Sequence, residues 1–315
     1  MPDLGRLERP WRPERIVVGV DIVGVNWPAV RWAVREARRR KVPMVLVGST
    51  VAYPPPPELP RGQTLPAERL ASPTWEVLDD VRARLTAEVD DVRVLVVDGE
   101  PPRAIAGCAG EHDLVVVGRR NGHPVVHALW GSTSMATAGR SAGPVVVVPD
   151  DLPGGEPDGP VVAGVREPTD VPVVELAFSR AADLRAPLLV VSAWDVTTPY
   201  GITARELHER REAVEATLEQ MLKPARDRYP TVPIRTRCEP LTPTAALIAA
   251  AGHDARILVV GRHTGTPHLG GLSATSTVRH VLRHAPCPVM VVPTSTRRPS
   301  ASEEMEFDDA DVPEY

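Results

Sequence analysis

The sequence predicts an α/β fold that is built twice, as two tandem domains that each contain a doubly wound parallel sheet. The first observation behind this prediction is an internal repeat. Four apolar segments recur at separations of 143 to 145 residues, too constant an offset for chance. RIVVGVD (15–21) recurs as PVVAGVR (160–166), VPMVLVGST (42–50) as APLLVVSAW (186–194), HDLVVVGRR (112–120) as ARILVVGRH (255–263), and AGPVVVVP (142–149) as PCPVMVVP (286–293).

The second observation is the alternation of two kinds of segment within each repeat. The apolar runs are short, rich in valine and not alternating, which is typical of strands buried on both faces of a parallel sheet. The segment 27–40 instead spaces Val30, Ala33, Val34 and Ala37 as a helical stripe. Further helices are predicted over 73–88, 100–110, 171–184, 204–229 and 243–252. Alternating strands and helices imply right-handed crossovers and a doubly wound sheet.

The repeat also divides the chain into segments. We expect an N-terminal extension over 1–14, domain 1 over 15–150, a linker over 151–159 and domain 2 over 160–293. The remaining residues, 294–315, are polar and strongly acidic, so they are predicted to form a disordered tail.

Composition narrows the classes of function. The 315 residues carry a formal net charge of -5, which argues against a nucleic-acid partner. No apolar run approaches the ~20 residues that span a bilayer, and no signal peptide is recognisable, so we expect a cytoplasmic protein with no membrane partner. Cys108, Cys238 and Cys287 are scattered and form no metal-binding motif. The basic run 35–41 (REARRRK) is interpreted as a solvated helix end.

Three stretches carry a resemblance to a known family. They are the first strand ending in Asp21, the glycine-containing segment VGRRNGHPVVHALWGSTS (117–134), and the closing segment VRHVLRHAPCPVMVV (278–292). In these, each repeat resembles a universal stress protein domain, whose fold is five-stranded, parallel and of the adenine nucleotide alpha-hydrolase-like kind. The resemblance covers 15–293 and includes the two-domain arrangement.

The resemblance implies a nucleotide site in domain 1. In ATP-binding members the loop after strand four and the next helix N-terminus hold the phosphates, because free backbone N–H groups and the helix dipole attract anions. An acid at the end of strand one helps to hold the nucleoside. The matching positions here are Asp21, Ser49, Val117, Gly118, Asn121, Gly122, Gly131, Ser132 and Thr133. Asn121 stands where the family has a second glycine, and asparagine tolerates positive φ better than most residues.

Domain 2 departs further from the family pattern, because Arg166 replaces the acid and Thr275 replaces the last glycine. Its weaker candidate positions are Gly261, Gly265, Thr275 and Ser276. Both loops also share a Gly-Arg pair, at Arg119 and Arg262. These arginines could reach anions or could simply face solvent beside a turn. A structural strand–helix turn without any ligand is the alternative for both loops.

The resemblance therefore implies a stress-response regulatory protein that binds ATP or a related adenine nucleotide, with Mg²⁺, in domain 1. The alternative is a scaffold of the same fold that binds no nucleotide. Slow ATP hydrolysis or autophosphorylation at Ser132 or Thr133 ranks last, since no general base, no other catalytic residue and no metal site is identifiable. The final strands are expected to pair the two domains within one chain, and a homodimer is a further possibility.

Overall fold

The computed structural model describes residues 11–50, 67–119, 132–152, 154–195, 203–263 and 276–294. In the first repeat the elements are β1 (Ile16–Gly19), α1 (Trp27–Arg40), β2 (Met44–Thr50), α2 (Ala67–Leu85), β3 (Val92–Asp98), α3 (Pro101–Gly107), β4 (Leu114–Arg119), α4 (Ser132–Arg140) and β5 (Val145–Pro149). In the second they are β6 (Val161–Gly164), α5 (Val171–Leu184), β7 (Leu188–Ala193), α6 (Ala204–Arg228), β8 (Ile234–Glu239), α7 (Pro243–Ala251), β9 (Ile257–Arg262), α8 (Ser276–His284) and β10 (Val289–Pro293).

These strands form one ten-stranded sheet in the order β3-β2-β1-β4-β5-β10-β9-β6-β7-β8. All pairs within a repeat are parallel, whereas β5 and β10 are antiparallel and meet at the centre, with Met290 opposite Val146. The predicted α/β fold of two doubly wound, five-stranded parallel units is confirmed.

The strands are buried on both faces, as their continuous apolar runs predict. Ile16, Val17 and Val18 are all fully buried, and Val17 faces the opposite side of the sheet from its two neighbours. The apolar faces of α1, α2, α5 and α6 cover one side, and those of α3, α4, α7 and α8 cover the other. Both cores run across the boundary between the repeats, so the two domains share their hydrophobic interior.

The predicted helices 27–40 and 171–184 coincide with α1 and α5. The helix predicted to begin at Pro73 instead begins at Ala67, and Pro73 lies inside it. The prediction placed proline at the helix start, where its missing N–H costs nothing; here the helix continues across it with one backbone bond fewer.

The basic run 35–41 is not simply a solvated helix end, so that interpretation is wrong. Arg40 is 8% exposed, and its guanidinium is bound to the buried carboxylate of Glu36 one turn earlier. Arg38 in the same run is exposed. The helix end therefore has one solvated side and one side buried in the protein. No helix within the described ranges is long and apolar enough to cross a membrane.

Candidate functional site

In the sheet of domain 1, the order in which successive strands are added reverses between β1 and β4. From β1 the chain proceeds to β2 on one side, and β4 and β5 extend the sheet on the other. Gly19 pairs with Val47 of β2 and with Val117 of β4, which brings Asp21, Ser49 and Gly118 to the same carboxyl edge. In open α/β sheets, ligands bind in the crevice outside such a switch point.

Asp21 and Ser49 both hold backbone at this edge. The carboxylate of Asp21 accepts a hydrogen bond from the N–H of Val23 at 2.9 Å, which shapes the turn between β1 and α1. The hydroxyl of Ser49 donates to the carbonyl of Gly99 at 2.5 Å and so ties the end of β2 to the turn after β3. Gly99 has φ +114°, a conformation that glycine adopts without strain.

Gly118 is explained by a residue that the sequence interpretation missed. Asn26 caps α1, where its side-chain oxygen accepts from the N–H of Ala29 at 2.9 Å. A Cβ atom at 118 would overlap the Asn26 side chain, so close packing against this cap requires glycine. The Nδ2 amide of Asn26 is buried and has no acceptor among the described residues. An asparagine directly before the Trp-Pro start of a helix is the sequence signal that identifies such a cap.

The other predicted positions of domain 1 are less closely grouped. Val117 is 3% exposed and its side chain lies in the core. Ser132 begins α4, and Thr133 is half-buried in the first turn of that helix. Asn121, Gly122 and Gly131 lie outside the described residues.

The equivalent edge of domain 2 is built differently. Asp170 stands at the position of Asn26 and is 2% exposed; its carboxylate accepts from the N–H of Arg166 at 2.8 Å and of Glu167 at 3.2 Å. A Cβ atom on Gly261 would lie 2.6 Å from Oδ1 of Asp170, so this glycine, like Gly118, leaves room for the side chain at the N-cap position of the neighbouring helix.

His263, directly after β9, completes this ionic cluster. Its Nε2 lies 3.0 Å from Oδ1 of Asp170, and its Nδ1 lies 3.4 Å from Glu167. The contact with Asp170 raises the pKa of His263 although partial burial opposes the charge. Ser276 begins α8, while Gly265 and Thr275 lie outside the described residues. Nowhere in the described ranges do three or more His, Cys, Asp or Glu side chains form a group that could hold a metal ion.

Arg119 and Arg262 join the two domains rather than face solvent or reach an anion, so both sequence interpretations of these residues were wrong. Arg119 donates to the carbonyls of Leu282 (2.7 Å) and Ala285 (3.0 Å) at the end of α8. Arg262 donates to the carbonyls of Ala138 (2.9 Å) and Ser141 (3.0 Å) at the end of α4. Cations suit these carboxyl-terminal carbonyls, which otherwise lack partners. We refer to Arg119 and Arg262 as the arginine pair.

Comparison with known proteins identifies the family of this chain. The universal stress protein family matches this chain twice, at residues 13–149 and 159–293. A universal stress protein of Mycolicibacterium smegmatis is 30% identical over 288 residues, covering 88% of this chain and 96% of its own length. One of Mycobacterium tuberculosis is 27% identical over 305 residues, covering 88% and 94%.

Solved structures that cover both repeats have the same fold. A universal stress protein from Archaeoglobus fulgidus superimposes with a TM-score of 0.65 at 18% identity, covering 90% of this chain and 97% of that one. A universal stress protein solved in complex with cAMP matches 44% of this chain and 98% of its own, with a TM-score of 0.33 and 22% identity. Two matched repeats that together span most of the sequence establish that this chain belongs to the universal stress protein family.

Proposed function

We propose that domain 1 binds ATP or a related adenine nucleotide at the carboxyl edge between β1 and β4, and that the protein acts as a regulator rather than as an enzyme. The observation that carries this proposal is the grouping of Asp21, Ser49 and Gly118 at the topological switch point. The acid and the first glycine are the two features that the resemblance assigns to nucleoside and phosphate binding.

The first turn of α4 is suited to binding a phosphate group. This nine-residue helix begins at Ser132 and has no acidic residue in its first turn, so its positive dipole end is not neutralised by the helix itself. Gly118 has no side chain, and its strand leads into the segment that connects to this helix. Mg²⁺ would enter with the nucleotide, since it is usually bound through phosphate oxygens and few protein ligands.

Domain 2 is the poorer candidate because its own side chains carry charges at the equivalent edge. Asp170 places a carboxylate beside Gly261, Glu167 places a second one beside His263, and His263 contacts both. A phosphate approaching Gly261 would meet these carboxylates, whereas domain 1 has the neutral amide of Asn26 at the position of Asp170. We therefore assign domain 2 a structural role.

Regulation would work through the contact between domains. Arg119 ends β4 and also binds the carbonyls at the end of α8 in domain 2. A nucleotide bound at this edge would thereby favour one arrangement of the domain pair or its partners.

The test is thermal unfolding with and without millimolar Mg-ATP, with cAMP and Mg-GTP as further ligands. A nucleotide at a hundred times its Kd stabilises the native state by about 2.7 kcal/mol, which should raise Tm by several degrees. Asp21→Ala should weaken binding at least tenfold, because a charged hydrogen bond to the nucleoside is lost. Arg166→Ala, the matched change in domain 2, should leave the shift intact.

Two outcomes would contradict the proposal. No shift with any nucleotide would leave the scaffold hypothesis, which is favoured by the use of Arg119 and Arg262 in the domain contact. A shift that Arg166→Ala removes and Asp21→Ala preserves would move the site to domain 2.

A further inference from the structure

The two repeats are related by an approximate twofold axis that passes between β5 and β10. Val146 faces Met290, its own counterpart 144 positions later in the chain. The arginine pair obeys the same symmetry: Arg119 binds Leu282 and Ala285, and Arg262 binds their counterparts Ala138 and Ser141. A residue close to this axis therefore faces the equivalent residue of the other repeat.

One such position carries opposite charges in the two repeats. Helices α1 and α5 both have fourteen residues and align with an offset of 144, so Glu36 and Arg180 are counterparts. Each is 1% exposed, and the guanidinium of Arg180 donates to the carboxylate of Glu36 across the domain boundary. The guanidinium of Arg180 also lies 5.7 Å from the centre of the Trp32 ring.

The surrounding groups complete a balanced cluster. Arg39 and Arg40 also bind Glu36; Arg40 reaches Asp183 at 2.8 Å, and Arg39 holds Glu156 of the linker at 2.7 and 2.9 Å. Three guanidinium groups thus meet three carboxylates. Burial opposes the charge on Glu36, but Arg180 and Arg40 outweigh it and lower its pKa to about 2, so the carboxylate is ionised under ordinary conditions.

We infer that Glu36 and Arg180 make each repeat pair with the other repeat and not with a second copy of itself. Two copies of domain 1 joined in the same way would bury Glu36 against Glu36. Two copies of domain 2 would bury Arg180 against Arg180. In either case the buried group loses its partner from the other repeat: Glu36 would keep only Arg39 and Arg40 of its own helix, and Arg180 would lose Glu36. Removing one partner of a buried pair is strongly destabilising. The fitting partner is thus a repeat with the opposite charge at this one position.

The experiment uses the full chain with a specific protease site inserted between Gly154 and Gly155, folded intact and then cut. Native mass spectrometry and size-exclusion chromatography report which halves stay together. The parent should give a one-to-one complex of domain 1 with domain 2. Glu36→Arg and Arg180→Glu should each raise the dissociation constant by at least ~100-fold. The double reversal Glu36→Arg/Arg180→Glu should restore the complex relative to both single variants.

Arg38→Glu is the matched control, because Arg38 is exposed on the same helix turn and should leave the complex unchanged. If one single reversal does not fold, the other and the double variant still complete the comparison by their Tm before cutting. Homodimers of either half from the cut parent would overturn the inference. Single reversals that hold the complex as tightly as the parent, or a double reversal no better than the singles, would also overturn it.

Discussion

The first helix of domain 1 and the first helix of domain 2 begin at equivalent positions, but the side chains at their two N-cap positions form different contacts. Asn26 directs its side-chain oxygen forward, to the N–H of Ala29 in α1. Asp170 directs its carboxylate backward, to the N–H groups of Arg166 and Glu167, and its other oxygen lies beside His263. Each cap packs against a glycine of a neighbouring strand, Gly118 or Gly261.

This difference shows which positions of the duplicated fold are kept the same by their structural role. The glycine and the arginine after it remain in both repeats, because one leaves room for the cap and the other binds the opposite domain. The cap and the residue at the end of the first strand have diverged, from Asn26 to Asp170 and from Asp21 to Arg166. The charges of the two repeats therefore differ at these strand edges as well as at the buried pair of Glu36 and Arg180, and the edges are where the functions of the domains are free to differ.

The largest expected effect is a difference between the two N-cap positions in how much stability is lost when each side chain is removed. Asp170→Ala should lower the free energy of unfolding by about 3 kcal/mol, because two backbone N–H groups and His263 lose a buried acceptor. Asn26→Ala should cost only about 1 kcal/mol, the usual value of an N-cap. Urea unfolding of the two variants measures this, and equal losses would show that the two caps are equivalent after all.

The arginine pair should behave symmetrically where the caps do not. Arg119→Ala and Arg262→Ala should each lower the free energy of unfolding by about 2 kcal/mol, because each removes two charged hydrogen bonds to helix-end carbonyls. Chemical denaturation of both variants checks this, with exposed Arg103→Ala as the control. A loss confined to one of the two would contradict the twofold arrangement of this contact.

The smallest expected effect is a pH dependence that belongs to domain 2. The pKa of His263 is raised by Asp170, so its contribution to stability is complete below its ordinary value of 6.5 and is lost as pH rises through the raised value. Between pH 6 and pH 9, the Tm of His263→Gln should therefore fall less steeply than the Tm of the parent protein. His112→Gln, an exposed change in domain 1, should leave the slope unchanged; an unaltered slope in His263→Gln would refute this role.

Much of the fold follows from local features that a sequence displays directly. Continuous valine runs such as 145–148 are typical of strands buried on both faces, and the repeat separation relates each strand to its counterpart. Helices α1 and α5 were predicted with the bounds that the structure shows, and each has a proline at its second position, where a helix tolerates it.

Only part of the candidate site could be predicted from the sequence. Asp21 and Gly118 could be matched to a family pattern, but Asn26 was overlooked because its contact with Gly118 joins residues that are 92 positions apart. The arginine pair was seen as a shared motif, yet its partners lie in the other domain, so the direction of the side chains could not be inferred. The same holds for Glu36, which belongs to a run of charges that is typical of a solvated helix.

By itself the sequence determined the duplication, the α/β alternation, the strands and the family, because these depend on period, burial pattern and short motifs. Only the tertiary structure decided which charges are buried and what they face. Glu36 and Arg180 are ordinary surface residues by composition, and they become a buried pair because a twofold arrangement brings equivalent helix positions together. Burial and pairing depend on distances through space between residues that are 144 positions apart in the chain.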